Sequence, residues 1–284
     1  MILGANRKAV IENIRTSAQA QDLHAKVEIN DPVLTPQQCK DIAQGYLSGR
    51  HAVGYRRKAY LARTFANLAS KVLNTKTEYV IHGDLSALDQ GCILTCNHFN
   101  PLDHTPLRTL VRKHKKKRLN IVSQMGNFAG TGPIGALLRY ADTIPLWEDP
   151  RYLSHEFLDV LGGLLKNKEP ILIYPEQEMW FNYRKPRSLK RGAYLFAAKL
   201  QAPVVCCFVE MVALPKKDTK EFKKVRYVLH ILDTLYPDPE KNPRQNSIDM
   251  CKKDYELKKA AYEKAYGKPL TYDFSYDDIA GWIQ

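Results

Sequence analysis

Short apolar runs recur through the middle of this chain, and helix-length amphipathic stretches separate most of them. The runs fall at 78–82, 91–96, 119–122, 142–146, 170–174 and 203–209, several of them rich in Ile and Val. Helical patterns lie between them at about 101–113, 132–140, 152–166 and 189–200. Strands that alternate with helices of this length form a sheet covered on both faces. The expected fold class is therefore α/β: a central mixed sheet flanked by helices, behind an N-terminal helical segment. Val225 to Leu235 adds a late strand.

The flanks read differently. Residues 1–54 are polar and weakly patterned, apart from Thr35-Pro36, an N-cap with Pro at the first helical position, which opens a helix to about Leu47. Tyr55 to Asn74 reads as a basic amphipathic helix. Tyr60, Leu61, Phe65, Leu68, Ala69 and Val72 share one face, with Arg56, Arg57, Lys58, Arg63 and Lys71 mainly around it. Two readings stay open for that face, core packing and membrane contact. A charged helix runs from about Pro243 to Tyr266, and the acidic, aromatic tail Thr271 to Gln284 has no assigned place. The expected organisation is an N-terminal helical, membrane-associating segment over 1–74, a main domain over 75–240 and a C-terminal helix and tail over 241–284.

The 43 Lys and Arg against 30 Asp and Glu give a net charge of +13. Such an excess points to an anionic partner: nucleic acid, anionic lipid or a phosphorylated substrate. No uninterrupted apolar run is long enough to span a bilayer, and Met1-Ile2-Leu3-Gly4-Ala5-Asn6-Arg7-Lys8 lacks the apolar core of a signal peptide. Cys39, Cys92, Cys96, Cys206, Cys207 and Cys251 form no Cys-x-x-Cys pair, so reduced, mostly buried thiols are expected and no metal site.

Gly91-Cys92-Ile93-Leu94-Thr95-Cys96 reads as a buried strand that runs directly into Asn97-His98-Phe99-Asn100-Pro101-Leu102-Asp103-His104. With Asn100 as N-cap and Pro101 at N1, Asp103 would sit at N3 of the next helix, folded back beside His98. Strand ends and the loops after them are favoured sites in open α/β sheets. A neutral imidazole there takes a proton from an attacking hydroxyl, and a carboxylate on its other nitrogen fixes the tautomer and stabilises the imidazolium. By itself the His-x4-Asp spacing is weak, because Asp at a helix start also serves the helix dipole.

Asn-His-x4-Asp after an apolar strand resembles the first block of the glycerolipid acyltransferases, the 1-acylglycerol-3-phosphate O-acyltransferase family. Ile171-Leu172-Ile173-Tyr174-Pro175-Glu176 is similar to the family's strand ending in Phe-Pro-Glu-Gly, and it lies 73 residues after Asp103, the family's usual separation. Leu189-Lys190-Arg191-Gly192-Ala193 and Ala202-Pro203-Val204-Val205 resemble its Lys-Gly helix and following strand. Pro133-Ile134-Gly135 and Ala141-Asp142-Thr143-Ile144-Pro145 resemble its intermediate block, and the whole resemblance covers roughly 78–235. It implies His98 as base and Asp103 as its orienting partner, with Asn97, Glu176, Gln177, Arg184, Arg187, Lys190 and Arg191 around the acceptor. It implies no cofactor. The donor would be acyl-CoA or acyl-acyl-carrier-protein, and the product phosphatidate from 1-acylglycerol-3-phosphate. It also implies a cytoplasmic protein, peripheral on the inner face of the membrane, with an anionic membrane surface as partner and no nucleic acid.

The departures concern the acceptor. Gln177 stands where the family has Gly, Glu178-Met179 replaces Thr/Ser-Arg, and Leu146-Trp147-Glu148-Asp149 lacks the expected Arg. Arg184-Lys185-Pro186-Arg187 with Lys190 and Arg191 is the expected substitute for the missing cations. The alternatives are a lysoglycolipid acceptor or, in another class, a non-catalytic lipid- or nucleic-acid-binding module. Gly130-Thr131-Gly132-Pro133-Ile134-Gly135 matches Gly-x-Gly-x-x-Gly, but no convincing strand leads into it. The run Arg112-Lys113-His114-Lys115-Lys116-Lys117-Arg118 reads as a solvated helix end or a contact for anionic headgroups or an acidic carrier protein.

Overall fold

Seven strands form one sheet in the computed structural model, which describes residues 6–29, 31–114 and 118–283. They are β1 (Glu78–Ile81), β2 (Ile93–Thr95), β3 (Asn120–Gln124), β4 (Thr143–Leu146), β5 (Ile171–Ile173), β6 (Val204–Lys217) and β7 (Lys223–Leu235). Their order is β1-β7-β6-β2-β5-β3-β4. Every pair is parallel except β6 with β7, so the sheet is mixed, as expected. The helices are α1 (Arg7–Gln19), α2 (Pro36–Gly49), α3 (Val53–Leu73), α4 (Ala87–Gln90), α5 (His104–Lys113), α6 (Gly126–Ala129), α7 (Gly132–Tyr140), α8 (Pro150–Ser154), α9 (Glu156–Lys166), α10 (Gly192–Lys199) and α11 (Pro243–Tyr266).

The short central strands β2 and β5 are apolar but for Thr95, because both of their faces are covered. Ile93, Ile171, Ile173, Val204 and Cys206 pack with Phe157, Val160 and Leu161 of α9 and with Tyr194 and Ala197 of α10. Their neighbours Leu94, Leu172, Val205 and Cys207 pack on the other side with Leu107, Leu110 and Val111 of α5. The six cysteines are free thiols, and all but Cys39 are buried.

A third core lies at the edge of this sandwich, where no sequence pattern announced one. Val10, Ile11, Ile14 and Ala18 line one side of α1 and pack with Val27, Trp180, Phe181, Tyr183, Phe222 and Ile279. The tail is thereby placed: Ile279 bridges to Tyr183 and Trp282 to Phe222.

Helix α2 opens as its sequence predicts. Thr35 Oγ1 accepts from the Gln38 N–H at 3.3 Å, and the Gln38 side chain accepts from the Thr35 N–H at 2.9 Å. Helix α3 packs against α5 and α7 through small residues, Ala59, Ala66 and Ser70, and Arg63 forks onto the Asp142 carboxylate at 2.7–2.9 Å. Its large apolar residues face the other way. Leu61, Phe65, Leu68 and Val72 are 61–67% exposed, so the apolar face of this helix is not core. Among the described residues no helix is long and apolar enough to cross a membrane.

The glycine-rich stretch belongs to packing. Helix α6 intervenes between β3 and α7, and a Cβ on Gly135 would lie 2.1 Å from the Gly130 carbonyl oxygen. Of the basic run, Arg112 and Lys113 end α5 and Arg118 pairs with Glu169 at 3.3 Å, while residues 115–117 lie outside the described residues.

Candidate active site

The carboxyl ends of β2 and β5 lie side by side in register, Thr95 opposite Ile173. The segments that leave them, Asn97 to Asp103 and Tyr174 to Glu178, meet at His98. Asn97 fixes the start of the first segment. Its amide donates to the Val209 carbonyl at 3.1 Å and accepts from the Val209 N–H at 2.8 Å, extending the pairing with β6 through a side chain. Asn97 is 2% exposed and points into the fold, which corrects its assignment to the acceptor.

The next segment does not enter a helix at Pro101. Asn100 Oδ1 accepts from the Leu102 N–H at 3.0 Å, a side-chain-closed turn, and α5 opens only at His104. Asp103 therefore sits at the N-cap rather than at N3. Its carboxylate caps no helical N–H and turns back into the loop. Oδ2 accepts from His98 Nδ1 at 2.8 Å, from the Phe99 N–H at 2.9 Å and from the Asn100 N–H at 3.2 Å. Oδ1 accepts from the Tyr174 hydroxyl at 2.5 Å. Burial pushes this carboxyl up, but His98, Tyr174 and the Phe99 N–H outweigh it and hold it below the ordinary Asp range. A carboxylate on Nδ1 makes that nitrogen the donor, which leaves Nε2 with its lone pair free.

Tyr174 supports His98 a second way. Its ring stacks on the imidazole at 4.0 Å between centroids and 15° between planes. Burial, and Asp103 next to it, push the phenol well above its usual range, so it stays a donor. The hydroxyl is the residue that reading the sequence missed. Its signal was a Tyr where the resembling pattern has Phe, at the end of a buried strand.

Below the ring, Glu176 accepts from the His98 backbone N–H at 3.2 Å, from the Arg187 N–H at 3.1 Å and from Arg187 Nη2 at 3.0 Å. Arg187 also donates to the carbonyls of Leu23 and Glu178 and stacks on Trp180. Glu176 is 2% and Arg187 0% exposed. They form a buried ion pair that joins the two loops, which corrects both from acceptor contacts to scaffold.

Residues 72–210 match the family model described as Acyltransferase. The blocks at 97–103, 171–176 and 189–205 all fall inside that stretch. Over that stretch, just under half of the chain, the sequence is similar to the Acyltransferase family. A similar solved structure is the 1-acyl-sn-glycerophosphate (LPA) acyltransferase PlsC from Thermotoga maritima, 17% identical with a TM-score of 0.53, the match covering 83% of this chain and 96% of that one. At that identity the likeness is one of fold. No curated protein sequence matches the chain.

The remaining cations around this site divide in two. Arg184 donates through Nη1 to the Asp277 carbonyl at 2.6 Å and lies over the Tyr266 ring, and Lys185 pairs with Asp278 at 2.7 Å. Arg184 and Arg187 are thus both engaged by the fold, Arg187 buried and Arg184 half-buried. Lys190 and Arg191 are exposed, and the Lys190 N–H donates to the Pro175 carbonyl at 2.8 Å, which sets them next to the Pro-Glu turn. Gln177 is exposed with φ +65°, the left-handed region where the family's Gly costs nothing. Asp149, in the stretch that lacks Arg, caps α8 by accepting from the Tyr152 N–H at 2.8 Å.

Proposed function

We propose that the chain transfers a fatty acyl group from an acyl thioester, acyl-CoA or acyl-acyl-carrier-protein, to the hydroxyl of a lysophospholipid, with 1-acylglycerol-3-phosphate as the leading acceptor. The observation that carries this is the Asp103–His98 pair inside an acyltransferase domain, with the Nε2 lone pair free. His98 Nε2 takes the proton of the acceptor hydroxyl as its oxygen attacks the thioester carbonyl. Asp103 stabilises the imidazolium so formed. As the tetrahedral intermediate collapses, His98 returns the proton to the departing thiolate. Such base catalysis contributes roughly 10²–10⁴-fold.

A phosphate monoester carries about −1.5 to −2 charge and needs cations beside it. Lys190 and Arg191 are the members of the basic cluster left exposed next to the Pro-Glu turn, and they support the phosphate reading. The engagement of Arg184 and Arg187 favours a second reading, a lysoglycolipid whose sugar hydroxyls donate to Gln177 and Glu178. Mass spectrometry of products from a thioester donor and a panel of lysolipids separates the two. Acylation of lysophosphatidate, with KM raised in Lys190→Ala/Arg191→Ala, supports the first. A glycolipid product without phosphatidate supports the second, and no acylated product from any acceptor removes both.

Membrane association belongs to the same reading. Leu61, Phe65, Leu68 and Val72 stand outward on a helix that carries five Lys and Arg and no acid, which suits peripheral binding on the cytoplasmic, anionic face. Binding should weaken in high salt and on neutral vesicles. Equal binding under all these conditions would count against the electrostatic part.

A further inference from the structure

Helix α3 carries more than an apolar face. A surface cleft of about 530 Å³ opens at its N-terminal half, lined by Arg56, Arg57, Arg63 and Arg118 together with Val53, Tyr60 and Leu61. None of the residues around His98 lines it. Two of its arginines are already committed, Arg63 to Asp142 at 2.7 Å and Arg118 to Glu169 at 3.3 Å. Arg56 and Arg57 are exposed and have no acidic partner among the described residues. The cleft thus holds four guanidinium groups against two carboxylates, on a helix whose own sequence contains no Asp or Glu. Guanidinium forks match the oxygens of a phosphate, and a phosphate would meet the unspent charge here.

Leu61 belongs both to the cleft and to the exposed apolar row that continues through Phe65, Leu68 and Val72. An occupant with a phosphate at one end and hydrocarbon at the other satisfies both features at once. A soluble phosphate leaves the row uncovered. We propose that this cleft is a discrete site for the phosphate headgroup of an anionic membrane lipid, whose acyl chains run beside the row. This rests on the membrane-association reading of α3 and is independent of the acyl-transfer chemistry.

The test is co-sedimentation of the full chain with phosphatidylcholine vesicles, with and without phosphatidate. Wild type should bind the phosphatidate vesicles more tightly. Arg56→Gln/Arg57→Gln should lose about 30-fold of that gain, from the usual contribution of two cations at an anionic surface, and keep its binding to neutral vesicles. Lys216→Gln/Lys217→Gln removes the same charge from an exposed strand end and should keep the gain. Equal losses in the two variants would mean a diffuse field, and no loss in the first an irrelevant cleft; either overturns the site. Inorganic phosphate or CoA, compared with chloride at matched ionic strength, should not displace the protein; selective displacement would make the occupant a soluble phosphate and overturn the lipid assignment. Leu61→Ser/Phe65→Ser reports on the parent reading alone: it should lose neutral-vesicle binding, and if it does not, membrane contact through α3 is wrong whatever the arginines do.

Discussion

Replacing Asp103 by Asn separates two roles that a carboxylate combines: holding the imidazole and stabilising its positive charge. Three donors converge on Oδ2, namely His98 Nδ1 and the N–H groups of Phe99 and Asn100, whereas Oδ1 meets only the Tyr174 hydroxyl. An asparagine will therefore turn its carbonyl to the three donors and its amino group to Tyr174, whose hydroxyl can rotate to accept. His98 keeps its proton on Nδ1, so the tautomer survives. What disappears is the negative charge. Hydrogen bonds to a charged group are worth about 1.5–3 kcal/mol, against about 1 kcal/mol for neutral ones. The expected loss in stability is about 1–3 kcal/mol. The imidazolium of the transition state loses a similar amount, which lowers kcat by roughly 5–150-fold. Thiol release from an acyl thioester at saturating lysolipid gives kcat, and thermal unfolding gives the stability. If folded Asp103→Asn is as inactive as His98→Ala, the tautomer is not held by the backbone donors and the argument fails. Wild-type turnover would remove Asp103 from the reaction altogether.

His98→Ala should lower kcat by about 10²–10⁴-fold in the same assay, with less than about 1 kcal/mol lost in unfolding, because the ring is partly exposed and Asp103 keeps its other three donors. Arg187→Ala leaves Glu176 charged and buried without its partner, so it should destabilise by about 3–5 kcal/mol in denaturant unfolding rather than raise the acceptor KM selectively. His104 is pushed down to about 4, by burial first and by Arg108 second. It is thus neutral in the fold, and its contribution is complete above its unfolded value near 6.5 and is lost as pH falls from there toward 4, at up to about 1.4 kcal/mol per pH unit. His104→Gln should flatten that part of the stability–pH curve, and an unchanged slope in urea titrations at pH 7 and 4.5 would contradict it.

The sheet and the His98–Asp103 pair were legible because local sequence encodes them. Apolar runs bounded by polar loops mark strands such as Ile93–Thr95, and the residues that follow immediately hold the His98–Asp103 pair. What long-range partners decide was not legible. Arg184 to Arg187 reads as a substitute for the missing cations, yet Glu176 and Asp278 draw Arg187 and Lys185 into the interior. Asn97 looks like a site residue until β6 supplies Val209 as its partner. Helix α1 offers only four well-spaced apolar positions, and their partners Trp180, Phe222 and Ile279 lie far along the chain. The apolar face of α3 was seen but not its direction, because periodicity locates a stripe without saying which side of the helix meets the core.

The third core also sets an order of events during synthesis. Trp180 donates its indole N–H to the Ala25 carbonyl and its backbone N–H to the His98 carbonyl, and Asn182 receives the Ala280 N–H while it donates to the Ala280 carbonyl. The loop that carries the imidazole is thus fastened, through Trp180 and Asn182, to Ala25 and Ala280, which lie far from it along the chain. The parallel strands can pair once Val204 to Leu235 has emerged, but the core around α1, with Val27, Trp180, Phe181, Tyr183 and Phe222, is complete only when Ile279 joins it. Contacts at such separation form late. A chain cut before Ile279 should therefore hold a formed sheet and a His98 loop without its fastening to Ala280.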